Sequence, residues 1–509
     1  MKATFLKLQN GSDIRGIACE GIEGQNVNLT PLSAYAIGQA FALWLAAKLG
    51  KTPSECIIGI GTDSRITGPA LKEQLMKGIV AEGAHVADCG MASTPAMFMS
   101  IVYPETQYDG SIMITASHLP FNRNGFKFFD KDGGLEKADI TAILELAADK
   151  ALTLTEEVLS APLEAANQVS EFDLISLYCA NLCMRICDDV AAEVYDEPLK
   201  GLKIVVDAGN GAGGFFATKV LEILGADIEG SSFLDPDGTF PNHVPNPEDK
   251  AAMAAICSST VASKADLGLI FDTDVDRMSA VLSDGTPINR DSIIAMMAAI
   301  LAEENPGSTI ITDSVTSDRL TDFLENKLGL KHLCYMRGYK NVINKCKELN
   351  AAGINSPLAM ETSGHGCLKE NYYLDDGAFL AVKLVIALAK AAKCGTKLDD
   401  LIKDLSTQYV AREVRFKILT EDFKSYGKTV LDTFKERAVE AGYALPDAHE
   451  GIRIRFTGPC TGWMLLRASL HDPVMVLNLE GQDEEALECI TGMAKPLLKG
   501  FDALDISAL

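Results

Sequence analysis

Basic side chains are scarce in this chain: 46 Lys+Arg face 70 Asp+Glu, for a formal net charge of −24. A field of that sign repels polyanions, which excludes a general nucleic-acid binder and a binder of anionic membranes. A small anionic substrate is still admissible, provided it meets a local cluster of cations. Charged residues make up only 23% while hydrophobic ones reach 47%, a balance that can bury several cores and excludes global disorder. Long uninterrupted apolar runs are lacking as well. Leu32–Leu49 is broken by Gln39 and Lys48, and Ala378–Ala392 by Lys383 and Lys390, so both are expected to be buried helices rather than membrane spans. The opening MKATFLKLQNGSD has no basic start, apolar stretch or small-residue cleavage site, and predicts no signal peptide. The 13 cysteines are odd in number and their spacings match no secreted disulfide framework. A soluble, reduced, cytoplasmic protein is expected. Cys179, Cys183 and Cys187 share one helix face, which could hold a metal, although packing in a core is the plainer use.

What is present is a repeated unit. Cys56–Gly61, Lys203–Val206 and Thr309–Thr312 are short apolar strands, each running into an Asp-containing turn, a helical stretch, a Gly break and a second strand. That rhythm is βαβ. After about residue 405 it changes: Val410–Ile418, Gly451–Phe456, Gly462–Ala468 and Val474–Leu479 read as antiparallel strands, with helices at Asp422–Ala441 and Asp483–Lys499. The predicted fold class is α/β: three related α/β domains with mixed, mostly parallel sheets, plus a C-terminal α+β domain. The expected divisions are 1–170, 171–286, 287–405 and 406–509.

Five loops could carry chemistry. Gly209, Gly211 and Gly214 fit a dinucleotide fingerprint with Asp227 downstream, but Asp207 would place a carboxylate near the pyrophosphate, and a tight strand-to-helix turn explains the glycines. Leu267–Phe271 is a strand that delivers Asp272, Asp274, Asp276 and Arg277, and three carboxylates at alternating positions can converge on a hard cation such as Mg²⁺. An EF-hand is excluded, because Arg277 and Ser283 stand where it needs Gly and Glu. Gly110–Thr115 leads to Ser117 and His118, with Lys127 following. Taken alone a Ser-His pair is weak, but a hydroxyl nucleophile together with a metal site suits phosphoryl transfer. Glu361, Ser363 and His365 offer the donors and acceptors that hold sugar hydroxyls, and Arg467, Ser469 and His471 offer a planar fork with neutral donors for a phosphate.

These motifs in this order, Thr115-Ala116-Ser117-His118, then Asp272 to Arg277, then Glu361 to His365, then Arg467 to Pro473, resemble the α-D-phosphohexomutase superfamily, in particular its phosphomannomutase/phosphoglucomutase subgroup. The resemblance implies four domains around a central cleft. It implies a phosphoserine at Ser117, and Mg²⁺ held by that phosphate with Asp272, Asp274 and Asp276. Arg15, His118, Lys127 and Arg277 would surround the transferring group. Tyr339, Glu361, Ser363 and His365 would bind the sugar, and Arg467, Ser469 and His471 the distal phosphate. The implied reaction interconverts hexose 1-phosphates and hexose 6-phosphates of mannose or glucose through a hexose 1,6-bisphosphate, by a monomer or weak homodimer. The loop Arg467-Ala468-Ser469-Leu470-His471-Asp472-Pro473, the pair Gly338-Tyr339, Thr362 and Ser12 depart from the family pattern, which leaves the sugar open. A phosphoglucosamine mutase, a Mg-dependent sugar-phosphate phosphohydrolase, an NAD-linked enzyme and a non-catalytic sugar-phosphate binder remain as alternatives.

Overall fold

The computed structural model describes residues 1–163, 167–192, 195–469 and 472–509. The chain forms two compact units. One comprises Met1–Asn289, Ser363–Gly366 and Leu374–Leu398; the other comprises Arg290–Thr362, Cys367–Tyr373 and Asp399–Leu509.

The first unit is built on two sheets. In the larger, Asp13–Ile17, Arg123–Asp130, Gly110–Ile114, Ile57–Thr62, His85–Met91 and Val169–Glu171 lie side by side. Pairing is parallel from Gly110–Ile114 to Val169–Glu171 and antiparallel at the Arg123–Asp130 and Asp13–Ile17 edge. The helices Pro31–Leu49 and Gly68–Ala81 bury one face of it. A Cβ on Gly38 would stand 2.2 Å from the Leu75 carbonyl oxygen, and one on Gly78 would stand 2.0 Å from that of Tyr35. Only glycine at both positions lets the two backbones touch. Pro31–Leu49 is long and apolar enough to cross a membrane by length and composition. Here Ile37, Phe41 and Leu45 are fully buried in the core of this sheet, as a buried helix requires.

The second sheet orders Pro287–Ile288, Met278–Leu282, Leu267–Phe271 and Ile204–Asp207, and only the last pair is parallel. Here the expected repeat is incomplete. Its helix begins as a π-helical turn, Phe216–Leu221, and its second strand is reduced to two isolated bridges, Lys203–Asp227 and Asp207–Ser232. That second strand is short and polar, so it has little apolar surface to anchor a full ladder. The glycine loop is the expected tight turn: a Cβ on Gly211 would stand 2.7 Å from the backbone of Thr273, so the glycine admits the acidic loop beside it. Cys179 and Cys187 are buried on the helix Leu174–Val190, and the three cysteines form no metal-holding group among the described residues.

The second unit holds the parallel strands Lys331–Cys334, Thr309–Thr312 and Leu358–Met360. It also holds an antiparallel sheet ordered Ile452–Phe456, Gly462–Ala468, Val474–Gly481, Val410–Ile418 and Leu504–Asp505. The helices Phe423–Glu440 and Glu484–Leu498 cover one face through Val430, Phe434, Leu487 and Ile490. One expectation is corrected here: Cys460 and Cys489 form a disulfide, while the other eleven cysteines remain thiols. A pair 29 residues apart in sequence is invisible to a spacing argument, because what makes a bridge possible is the distance between Cα atoms in the fold.

Candidate active site

The strand Gly110–Ile114 ends in a turn that presents Ser117, which is 3% exposed and has φ +50°. Such a conformation is uncommon for a residue with a side chain and persists only where surroundings enforce it. The enforcing group is Arg65. Its guanidinium is fully buried and donates to the carbonyl oxygens of Pro120 at 2.8 Å, Arg123 at 2.9 Å, Leu119 at 2.6 Å and Ser117. The Ser117 N–H donates to Thr115 Oγ1 at 2.9 Å. Ser117 Oγ donates to Asp272 Oδ2 at 2.9 Å and lies 3.2 Å from His118 Nδ1.

The acidic loop follows the buried strand Leu267–Phe271, and it converges by turning. Fully extended, Asp272 and Asp276 would stand roughly 13 Å apart. Instead Val275 adopts φ +66°, its N–H donates to the Asp272 carbonyl oxygen at 3.3 Å, and the Arg277 carbonyl oxygen accepts from the Asp272 N–H at 3.3 Å. Carboxylate oxygens of Asp272, Asp274 and Asp276 thereby come within 4.8 Å of one another. Alternation alone would not have brought the carboxylates together. A left-handed β-branched residue supplies the bend, and no sequence rule predicts it.

Cations balance the acids. Lys127 Nζ, on the strand Arg123–Asp130, pairs with Asp276 and lies 3.3 Å from Asp274. Arg277 Nε lies 3.2 Å from Asp272 Oδ2, and its Nη1 donates to Asn246 at 3.1 Å. Burial and the neighbouring carboxylates of Asp276 and Asp274 push Asp272 well above the usual carboxylate range. At Asp276 burial acts in the same direction, but Lys127, His365 and Arg277 outweigh it and hold the carboxyl below that range. His118 is pushed down to about 2 by burial and by Arg277 and Arg15, so it is neutral. Arg15, on Asp13–Ile17, bonds Asp13 at 2.9 Å and pairs in register with Gly125, two residues from Lys127.

The segment Ser363–Gly366 joins this group. Arg277 and His365 form a bridge, and His365 Nδ1 lies 2.6 Å from Asp375 Oδ2. Burial disfavours the imidazolium, yet Asp375 and Asp276 together raise His365 to about 9. Ser363 Oγ is buried with no hydrogen-bond partner among the described residues.

The second unit holds the remaining predicted residues. Glu361 is 3% exposed and accepts from the Gly338 N–H at 2.6 Å. Tyr339 opens the helix Tyr339–Ala351. Thr362 donates to Asp313 at 2.9 Å, so its departure from the family residue is absorbed by an internal contact. Arg467 is the last residue but one of the strand Gly462–Ala468, buried, with no hydrogen-bond partner for Nε among the described residues. The Ser469 N–H donates to the Val474 carbonyl oxygen at 2.8 Å. His471 lies outside the described residues.

Sequence reasoning missed Arg65, Asp375 and Thr94, whose Oγ1 donates to Asp274 Oδ2 at 2.5 Å. The Asp63-Ser64-Arg65 turn was visible as a strand end, but nothing in it announces an arginine donating to four carbonyls. The carboxylate triad fits a metal: Asp274 Oδ1 and Asp276 Oδ1 are buried without hydrogen-bond partners among the described residues, and hard oxygen donors suit a divalent cation of the Mg²⁺ kind. A buried hydroxyl beside such a triad and a buried lysine is equipped for metal-assisted phosphoryl transfer.

Comparison with known proteins agrees. Family models described as phosphoglucomutase/phosphomannomutase, alpha/beta/alpha domains I, II and III, match residues 7–153, 186–285 and 289–409. The chain is 31% identical over 482 residues to a phosphomannomutase/phosphoglucomutase of Pseudomonas putida, covering 94% of this chain and 92% of the relative. It is 32% identical over 489 residues to a phosphoglucomutase of Neisseria meningitidis serogroup B, covering 96% and 95%. A solved phosphoglucomutase/phosphomannomutase family protein from Burkholderia thailandensis superposes with a TM-score of 0.77 at 26% identity, over 98% of both chains. This chain belongs to the phosphoglucomutase/phosphomannomutase family of the α-D-phosphohexomutase superfamily.

Proposed function

We propose that the protein is a phosphohexomutase that interconverts hexose 1-phosphates and hexose 6-phosphates of glucose, mannose or both, with Ser117 as the phosphorylated nucleophile. The observation that carries this reading is Ser117 Oγ at 2.9 Å from Asp272, beside two carboxylates, Asp274 and Asp276, each with one buried oxygen that has no hydrogen-bond partner among the described residues. Mg²⁺, held by Asp272, Asp274, Asp276 and the Ser117 phosphate, would neutralise charge on the phosphoryl oxygens. The residues of the chain do the rest. Lys127 and Arg277 supply fixed positive charge, and Arg15 reinforces them from the neighbouring strand. His118, held neutral next to Oγ, can hydrogen-bond the serine without adding charge.

In the first half-reaction the phosphorus–Oγ bond breaks as a sugar hydroxyl oxygen bonds to phosphorus, and the proton that the hydroxyl loses is balanced by the one Ser117 Oγ gains. The product is a hexose 1,6-bisphosphate. In the second, the other phosphoryl group returns to Oγ. The same binding groups must therefore accept the sugar in both orientations. Glu361, Ser363, His365 and Tyr339 suit the shared hydroxyls, and Arg467 with Ser469 and His471 suits the phosphate that is not reacting. Such contacts need not read C2, where glucose and mannose differ. The domain divisions 1–170, 171–286, 287–405 and 406–509 follow the same reading, as does a cytoplasmic monomer or weak homodimer without nucleic-acid or membrane partners. A panel of glucose, mannose and glucosamine 1-phosphates, with glucose 1,6-bisphosphate as activator, tests the proposal. Isomerisation stimulated by the bisphosphate is expected; hydrolysis to inorganic phosphate, or no turnover of any sugar, would overturn it.

A further inference from the structure

Arg467 has an unusual setting within the second unit. Its side chain is buried, its Nε has no hydrogen-bond partner among the described residues, and among nearby charges the one that acts most strongly on it is another guanidinium, that of Arg337. Burial and then Arg337 lower its hold on the proton. Glu450, Glu413 and Asp313 act on it in the opposite sense but each more weakly, so two guanidiniums kept together in a partly buried place gain from a further anion.

The backbone holds them there through a chain of contacts. A Cβ on Gly451 would stand 3.0 Å from the Cβ of Arg467, so residue 451 lies directly against it. The preceding residue, Glu450, accepts from the Arg337 N–H at 3.1 Å and from Ser314 Oγ. The next N–H, of Gly338, donates to Glu361, the proposed sugar ligand, at 2.6 Å. Behind Arg337 stands Asp313, 3.9 Å from Nε, itself bonded by Thr362 at 2.9 Å. The 13-residue helix Tyr339–Ala351 starts at this point, with the Glu361 carboxylate on the N–H of its N-cap, Gly338.

We infer that Arg337 is a second guanidinium of the phosphate subsite, receiving the non-reacting phosphate of a hexose phosphate jointly with Arg467. This rests on the mutase reading and adds a residue to it. It also fits the departure at 470: with Leu470 in place of a polar donor, a second charged fork supplies what that position does not. Two forks can engage three phosphate oxygens, whereas one binds two.

The test uses the full chain with glucose 6-phosphate, by calorimetry and by steady-state kinetics. Arg337→Gln should weaken binding about tenfold or more, the scale of one charge-assisted hydrogen bond. It should raise KM more than it lowers kcat and leave the Ser117 phosphate visible by intact mass. Arg337→Lys should fall between wild type and Arg337→Gln. Combined with Arg467→Lys, the effects should be non-additive, because both residues grip one group. If Arg337→Gln binds within twofold of wild type, the inference is overturned while the mutase reading stands. If wild type binds through Arg337 yet isomerises nothing, the mutase reading fails and Arg337 keeps its role. A wild type that binds no hexose phosphate overturns both. Should Arg337→Gln not fold, wild-type affinity in Arg337→Lys overturns the inference alone.

Discussion

The surroundings of Ser117 and those of Arg467 use charge in opposite ways. Around Ser117 the charges are already matched: Lys127 pairs with Asp274 and Asp276, and Arg277 with Asp272. Around Arg467 they are less so: its buried Nε has no hydrogen-bond partner among the described residues, and Arg337 acts on it more strongly than Glu450, Glu413 or Asp313 does. The first arrangement suits a site that must hold a metal and a transferring group through a whole cycle. There, balanced charge makes preorganisation affordable in a dry interior. The second suits capture, because a place where like charges meet gains most when an anion arrives. The difference also explains how a chain of net charge −24 can bind sugar phosphates. Its long-range field repels them, and a few inward-facing guanidiniums reverse the sign locally.

Removing the nucleophile should have the largest effect. Ser117→Ala is expected to cut turnover by several orders of magnitude and abolish the phosphate seen by intact-mass analysis, while hexose phosphate binding at the Arg467 end persists. An alanine variant with full turnover would mean that the two regions have been assigned the wrong way round. Next in size is the metal-side balance. Chelation should abolish activity and added Mg²⁺ restore it. In chelated protein, Lys127→Met should cost about 3–5 kcal/mol of stability by denaturant titration, because buried carboxylates lose their counter-charge. A variant as stable as wild type would show that the pairs contribute nothing to folding.

The pH dependence is smaller and has a definite sign. His365 is raised to about 9 in the folded protein by Asp375 and Asp276, against an unfolded value near 6.5. Its contribution is therefore complete below about pH 6.5 and is lost as pH rises through 9. The metal-free protein should lose up to about 3 kcal/mol over that window, and Asp375→Asn should flatten the loss. An unchanged profile in Asp375→Asn would show that the dyad does not hold the proton. Smallest is Arg467→Lys, which keeps the charge and loses the fork. It should lower kcat/KM by about 1.5–3 kcal/mol, with Ser117 phosphorylation intact. Equal loss of phosphorylation would erase the contrast between chemistry and capture.

Much of this was legible in the chain. The apolar strand before each acidic or hydroxyl-bearing loop, the glycines that punctuate the repeats and the order of the motifs follow from local patterning, which is why Ser117, the three aspartates and the βαβ rhythm could be read directly. Side-chain alternation and helical periodicity depend only on neighbours in sequence. Other features depend on neighbours in space. The left-handed turn at Val275 that gathers the carboxylates, and the arginine at 65 that donates to the serine loop, join residues far apart in the chain or rest on strain that packing must hold. So do the Asp375 partner of His365 and the disulfide between Cys460 and Cys489. The sequence by itself determined which side chains with chemical potential lie at strand ends, because that is a matter of local order. Only the tertiary structure decided which of them share a charge, a proton or an anion, because Coulomb and hydrogen-bond energies depend on distances set by the packed fold.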